Sequence, residues 1–213
     1  MDGGIELSEL ERDAFTELVN IGVSRAAVSL RKMIGVQVLL SVPSVEIVKR
    51  EIAARLISER ESSELVAIHQ DFEGAFAGRA LLIFPVPNSL ELVRAVAGGD
   101  LSQDELMEMA DEALTETGNV ILNACLATMA NMLQGSLSMA LPKIIRGSGD
   151  RIFSRTDDEV EEGHVLFLYI DFAVQDRNIR GYIAMLMDLP ALEKLRILIN
   201  DFISRIVGDE AHR

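Results

Sequence analysis

The chain has 213 residues, 49% of them hydrophobic and 25% charged, which is an ordinary globular composition with ample core-forming material. Its formal net charge of -14 opposes nonspecific attraction to nucleic acid or anionic lipid, since both need a basic face, and favours a protein partner. The single cysteine, Cys125, excludes an internal disulfide and any multi-Cys metal site, and its apolar neighbours predict a buried core thiol. His69, His164 and His212 lie far apart in no zinc-site spacing, so no metal site is expected. Apolar runs are broken before the roughly 18 residues needed to cross a bilayer, and the first residues lack a basic region or a signal core. The expectation is a soluble cytoplasmic chain without membrane insertion.

In chain order, Ser8 and Glu11 form an S-x-x-E capping box that predicts a helix over about 8–34, ending near Gly35. An extended segment follows from Val36 to Val42 and stops at Pro43, which cannot donate to a sheet ladder. Strands are predicted from Glu64 to Gly74 and from Gly78 to Phe84, then a helix around Ser89–Arg94, with Gly98-Gly99-Asp100 as a join. Ser102 and Glu105 form a second capping box before a helix over about 103–134, closed by Gly135. Ser136 to Leu141 reads as extended, stopping at Pro142. Strands are predicted from Gly163 to Val174 and from Gly181 to Met187, and a last helix around Ala191–Arg196.

The order helix, strands, helix thus occurs twice, and the sequence repeats with it. Asp13-x3-Glu17-x2-Asn20-x22-Pro43 recurs as Glu112-x3-Glu116-x2-Asn119-x22-Pro142, at a constant offset of 99 residues. Only 5 prolines occur in the whole chain, so two in register are poorly explained by chance. A long helix followed by short strands cannot close a core alone. We therefore expect one pseudo-twofold α+β domain over residues 1–213, built from repeats at about 8–98 and 102–207, with two long central helices and flanking, mainly antiparallel strands.

Residues at i, i+4, i+7 and i+11 fall within about 60° of one another on a helix. Asp13, Glu17, Asn20 and Ser24 therefore share one stripe, and Glu112, Glu116, Asn119 and Asn123 share the equivalent one. Leu7, Leu10, Leu18, Ile21 and Val28 are read as the opposite, apolar side of the first helix. Glu offers an anion that pairs a cation, and Asn one turn on offers an amide that donates and accepts. A carboxylate and an amide at i, i+3 are common on solvated helices, so E-x-x-N carries weight only because it repeats. The prolines are read as structural, fixing where each strand ends.

On these residues the chain resembles the CheC family of chemotaxis phosphatases, related to CheX and to the middle domain of FliY, through D/S-x3-E-x2-N-x22-P present twice. The resemblance spans nearly the whole chain and implies a phosphatase that hydrolyses the phosphoaspartate of a CheY-type receiver domain in two-component chemotaxis signalling. It implies that Asn20 and Asn119 each hold a water in line with the phosphoryl group, while Glu17 and Glu116 pair with a lysine of the partner. Asp13, Ser24, Glu112 and Asn123 would support partner binding. It also implies no cofactor in this chain, with Mg²⁺ in the receiver. Glu112 departs from the family's Asp or Ser, and a longer side chain there would crowd or re-aim the partner. Val19 precedes Asn20 where Gly118 precedes Asn119, which suggests a more accessible backbone at the second site. The competing reading is a noncatalytic adaptor that binds the receptor deamidase CheD or a flagellar switch component.

Overall fold

Among the described residues, eight strands and six helices follow one another: α1 (Glu9–Ile34), β1 (Val38–Ser41), β2 (Val45–Lys49), α2 (Arg50–Arg60), β3 (Leu65–Gly74), β4 (Gly78–Pro85), α3 (Val86–Ala97), α4 (Gln103–Met132), β5 (Leu137–Met139), β6 (Lys143–Gly147), α5 (Gly149–Ile152), β7 (His164–Val174), β8 (Arg177–Met187) and α6 (Leu189–Glu210). This is a computed structural model, and the residues it describes are 7–35, 37–42, 45–98, 102–154, 164–174 and 177–210. Pro43, His212, Gly99 and Asp100 of the join, and the segment ends Val36 and Gly163 lie outside them.

Both capping boxes form. Ser8 accepts from the Glu11 amide while the Glu11 carboxylate accepts from Ser8 N at 2.7 Å, and Ser102 and Glu105 exchange the same pair of bonds. Gly35 ends α1 in the left-handed conformation, φ 74°. The end of α4 differs from expectation: the helix stops at Met132, and Gln134 rather than Gly135 takes the positive φ, 57°.

Among the described residues every strand pairing is antiparallel, in one sheet of order β1-β7-β8-β4-β3-β5, with β2 also on β7 and β6 also on β3. The short strands after α1 therefore pair with a hairpin from the second half of the chain, and those after α4 pair with a hairpin from the first. The register repeats as well. Leu40 faces Phe172 and Met139 faces Phe72, so β3 and β7 occupy equivalent places, with Gln70 matched by Ile170.

Strand residues alternate between two cores. Val66, Ile68, Leu82, Phe84, Leu166, Leu168 and Met185 face the main core with α1, α3, α4 and α6, while Leu65, Ala67, Leu81, Ile83, Phe167 and Ala184 face a smaller one with α2 and α5. Burial on both faces explains why the strands read as nearly continuous apolar runs. Strand β2, helix α2 and the short β6 and α5 have no counterpart among the elements expected from the sequence. The N-cap of α2, Lys49, makes no side-chain cap bond, so α2 follows β2 without a start signal. No helix among the described residues is long and apolar enough to cross a membrane.

The two long helices cross at Gly22, where an added Cβ would stand 3.0 Å from the Cys125 backbone, so any side chain there would push the helices slightly apart. Burial there pushes the Cys125 thiol up to about 12.

Candidate functional site

Both stripes lie on the long helices. On α1, Asp13, Glu17 and Ser24 are exposed and Asn20 is half-buried; on α4, Glu112 and Glu116 are exposed and Asn119 and Asn123 are half-buried. Pro142 is half-buried after β5.

Glu17, Asn20 and Ser24 share the wall of an open depression of about 320 Å³ with Ile21, Arg25 and Val28. The assignment of Ile21 and Val28 to the opposite side of α1 is thereby corrected. At 100° per residue they lie within about 40° of Glu17, so they give the depression an apolar floor. Val28 is 55% exposed and Leu10, read with them, is 60% exposed. The buried side of α1 is instead Phe15, Leu18, Val19, Val23, Ala26 and Leu30. Arg25 carries no signal in the repeat, since the equivalent position on α4 is Ala124.

The asparagines are wired differently. Asn20 Nδ2 donates to the Val42 carbonyl at 3.2 Å and Asn20 Oδ1 accepts from Val42 N at 3.0 Å. This two-point clamp falls on the residue before Pro43, which gives the x22 spacing a physical content: the proline's neighbour is held back against its own helix. The second copy lacks the clamp. Val42 is 3% exposed, but its equivalent, Leu141, is 84% exposed. Asn119 Oδ1 instead accepts from Gln70 Nε2 at 3.1 Å and from Asn123 Nδ2 at 2.6 Å, and the same Gln70 nitrogen donates to the Ala140 carbonyl at 3.1 Å.

Gln70 comes from β3, where it follows Val66 and Ile68 on the face turned to the main core. Its only sequence signal is a polar residue at an inward position of an apolar strand, where the equivalent strand has Ile170. Gly118 contributes to the same contact. Its backbone is not opened to solvent, as the sequence suggested, but buried: an added Cβ would lie 2.6 Å from Ile68 Cγ2, so the glycine lets α4 settle closely on β3.

The electrostatics near the start of α1 are set by Glu11. Burial pushes its carboxyl up, but hydrogen bonds from Arg196, the Ser8 amide, Asn200 and the Ser8 hydroxyl outweigh this and hold it at about 2. Arg196 Nε and Asn200 Nδ2 donate to one carboxylate oxygen at 2.8 and 2.7 Å, tying α6 to the capping box. Among the described residues no three His, Cys, Asp or Glu side chains are grouped so as to hold a metal ion. What the two stripes present is a carboxylate and a neutral amide, each one helical turn apart, on an open surface that a partner can reach.

No protein-family model matches the chain. It is 26% identical over 141 residues to the flagellar motor switch phosphatase FliY of Bacillus subtilis, a match spanning 65% of this chain and only 36% of that protein. It is 22% identical over 177 residues to the putative CheY-P phosphatase CheC1 of Halobacterium salinarum, covering 82% of this chain and 89% of the relative. With the CheY-P phosphatase CheC of Bacillus subtilis it shares 20% identity over 200 residues, 91% of this chain and 95% of the relative. Among solved structures, Thermotoga maritima FliY shares the fold at TM-score 0.74 and 17% identity, over 93% of this chain and all of that one. The FliM middle domain of H. pylori does so at TM-score 0.60 and 8% identity, over 90% and 99%.

Proposed function

The chain belongs to the CheC/CheX/FliY family, and on that footing we propose that it is a phosphatase acting on the phosphoaspartate of a CheY-type receiver domain. The observation that carries the reading is the same exposed Glu and half-buried Asn, one turn apart, on both long helices. Two of its relatives bear the name CheY-P phosphatase, which supports the substrate class.

In the proposed reaction Asn20 or Asn119 enters the receiver's site and orients a water. The water oxygen bonds to phosphorus as the bond from phosphorus to the aspartyl oxygen breaks. That electron pair leaves with the carboxylate, and the water proton passes to a phosphoryl oxygen, giving inorganic phosphate. Such transfer passes through a loose transition state in which positioning and electrostatics dominate, so an amide without strong basicity suffices. Glu17 and Glu116 pair with a lysine of the receiver, and Asp13, Ser24, Glu112 and Asn123 border the contact. Mg²⁺ would be held by the receiver, where it neutralises phosphoryl charge.

A second reading is a noncatalytic adaptor that binds CheD or a flagellar switch component; the fold it shares with the FliM middle domain fits the flagellar part of that reading. Phosphate release from a panel of phosphorylated receiver domains separates the two. The phosphatase reading expects accelerated release from at least one receiver; binding without acceleration across the panel would leave the adaptor.

A further inference from the structure

We infer that Gln70 is a positioning residue of the second site, fixing Asn119 so that its amide N–H groups, and not its carbonyl, are what that site offers to the reacting water and phosphoryl oxygens. The inference rests on the phosphatase reading and deepens it.

The chain of contacts begins at a group that has no alternative orientation. The Ala140 backbone carbonyl only accepts, so the end of Gln70 that faces it must be Nε2. An amide nitrogen carries two hydrogens, and the second goes to Asn119, so the Asn119 atom that meets it must be Oδ1. Asn123 Nδ2 donates to the same oxygen at 2.6 Å, and both of its lone pairs are then taken. Turning the Asn119 amide over would set its NH₂ against the Gln70 NH₂, whose orientation the Ala140 carbonyl fixes, and lose that bond. Asn119 Nδ2 makes no hydrogen bond among the described residues and keeps two donors uncommitted.

Gln70 is poorly explained by stability alone. It is 1% exposed, and its Oε1 accepts no hydrogen bond among the described residues. A buried unpaired amide oxygen is costly, and an apolar side chain in its place would avoid that cost. The other half of the molecule has that arrangement, with Ile170 at the equivalent register, also 1% exposed. There Asn20 is oriented by the Val42 backbone, which takes one hydrogen and one lone pair and leaves one of each. The first site thus offers a donor and an acceptor, and the second offers two donors.

The test substitutes what the first half uses, Gln70→Ile, and reads kcat and KM for phosphate release from a phosphorylated CheY-type receiver in two backgrounds. With Asn20→Ala, only the second site is intact, and Gln70→Ile should lower kcat about 10-fold with KM unchanged. With Asn119→Ala, the group being positioned is gone, and Gln70→Ile should add no further loss. Gln70→Met, similar in length but without a donor, should reproduce the Asn20→Ala result if the isoleucine impairs folding. Equal losses in both backgrounds would make Gln70 a fold-wide support and overturn the inference, as would no loss in either. Both of those leave the phosphatase reading standing, whereas absence of phosphate release by the unaltered chain overturns that reading and the inference together.

Discussion

Asn20 leans on its own chain, through the backbone of the residue before Pro43, while Asn119 leans on Gln70 of a sheet strand and on Asn123 of its own helix. The surroundings follow suit. Val19 precedes Asn20 and Ile170 lies beneath the first site's register, whereas Gly118 and Gln70 occupy those places in the second. Arg25 joins the first site's depression where α4 has Ala124. The lesson is that one motif, repeated with its spacing intact, is compatible with two kinds of support. In the first copy the asparagine is also a structural clamp; in the second it is held by others and clamps nothing.

That contrast makes an asymmetric forecast for stability. Asn20→Ala removes both partners of a buried residue's backbone N–H and C=O, and should cost about 3 kcal/mol in urea unfolding. Asn119→Ala leaves Gln70 bonded to the Ala140 carbonyl and should cost about 1 kcal/mol. Equal shifts in the urea midpoint would mean that Asn20 clamps Val42 no more firmly than Asn119 holds its own partners.

A smaller effect is expected at Gly118. Alanine is the better helix former by about 1 kcal/mol, but its Cβ would press on Ile68 and overpack the α4–β3 contact. Gly118→Ala should destabilise by up to about 2 kcal/mol net and lower phosphate release through the proposed second site while sparing the first. A gain in stability would mean that α4 does not depend on close approach to β3.

The two capping boxes differ too, and pH exposes the difference. The Glu11 carboxyl is held at about 2, below its ordinary 4.5, so its contribution is fully present above pH 4.5 and is lost as pH falls toward 2. Glu105 is also lowered, by the Ser102 hydroxyl and amide, but it is exposed and makes no tie to another helix. Glu11→Gln should therefore flatten the acid limb of the stability profile more than Glu105→Gln. The reverse order in acid-unfolding curves would move the electrostatic anchor to the second helix.

The helices and main strands were legible because their signals are local: capping boxes at Ser8 and Ser102, and apolar strand runs bounded by glycine. Helix α2 was not, since it follows β2 with no side-chain cap at Lys49. The position of the polar stripe follows from helical periodicity, and the same periodicity puts Ile21 and Val28 beside Glu17 although their apolar character suggests the buried side of α1. What holds each asparagine was hidden for a different reason. Gln70 and Asn119 are 49 residues apart in sequence and meet only through the packing of α4 on β3. The Val42 clamp is likewise a contact across 22 residues, visible in the sequence only as the fixed distance to a proline.

Whether two helix-borne asparagines orient the attacking water is decided by phosphate release from a phosphorylated CheY-type receiver with the unaltered chain, Asn20→Ala, Asn119→Ala and the double variant. Each single variant should keep part of the activity, and the double variant should fall about 100-fold, a rise of about 2.7 kcal/mol in the barrier. A double variant that folds normally and releases phosphate at the full rate would contradict the account.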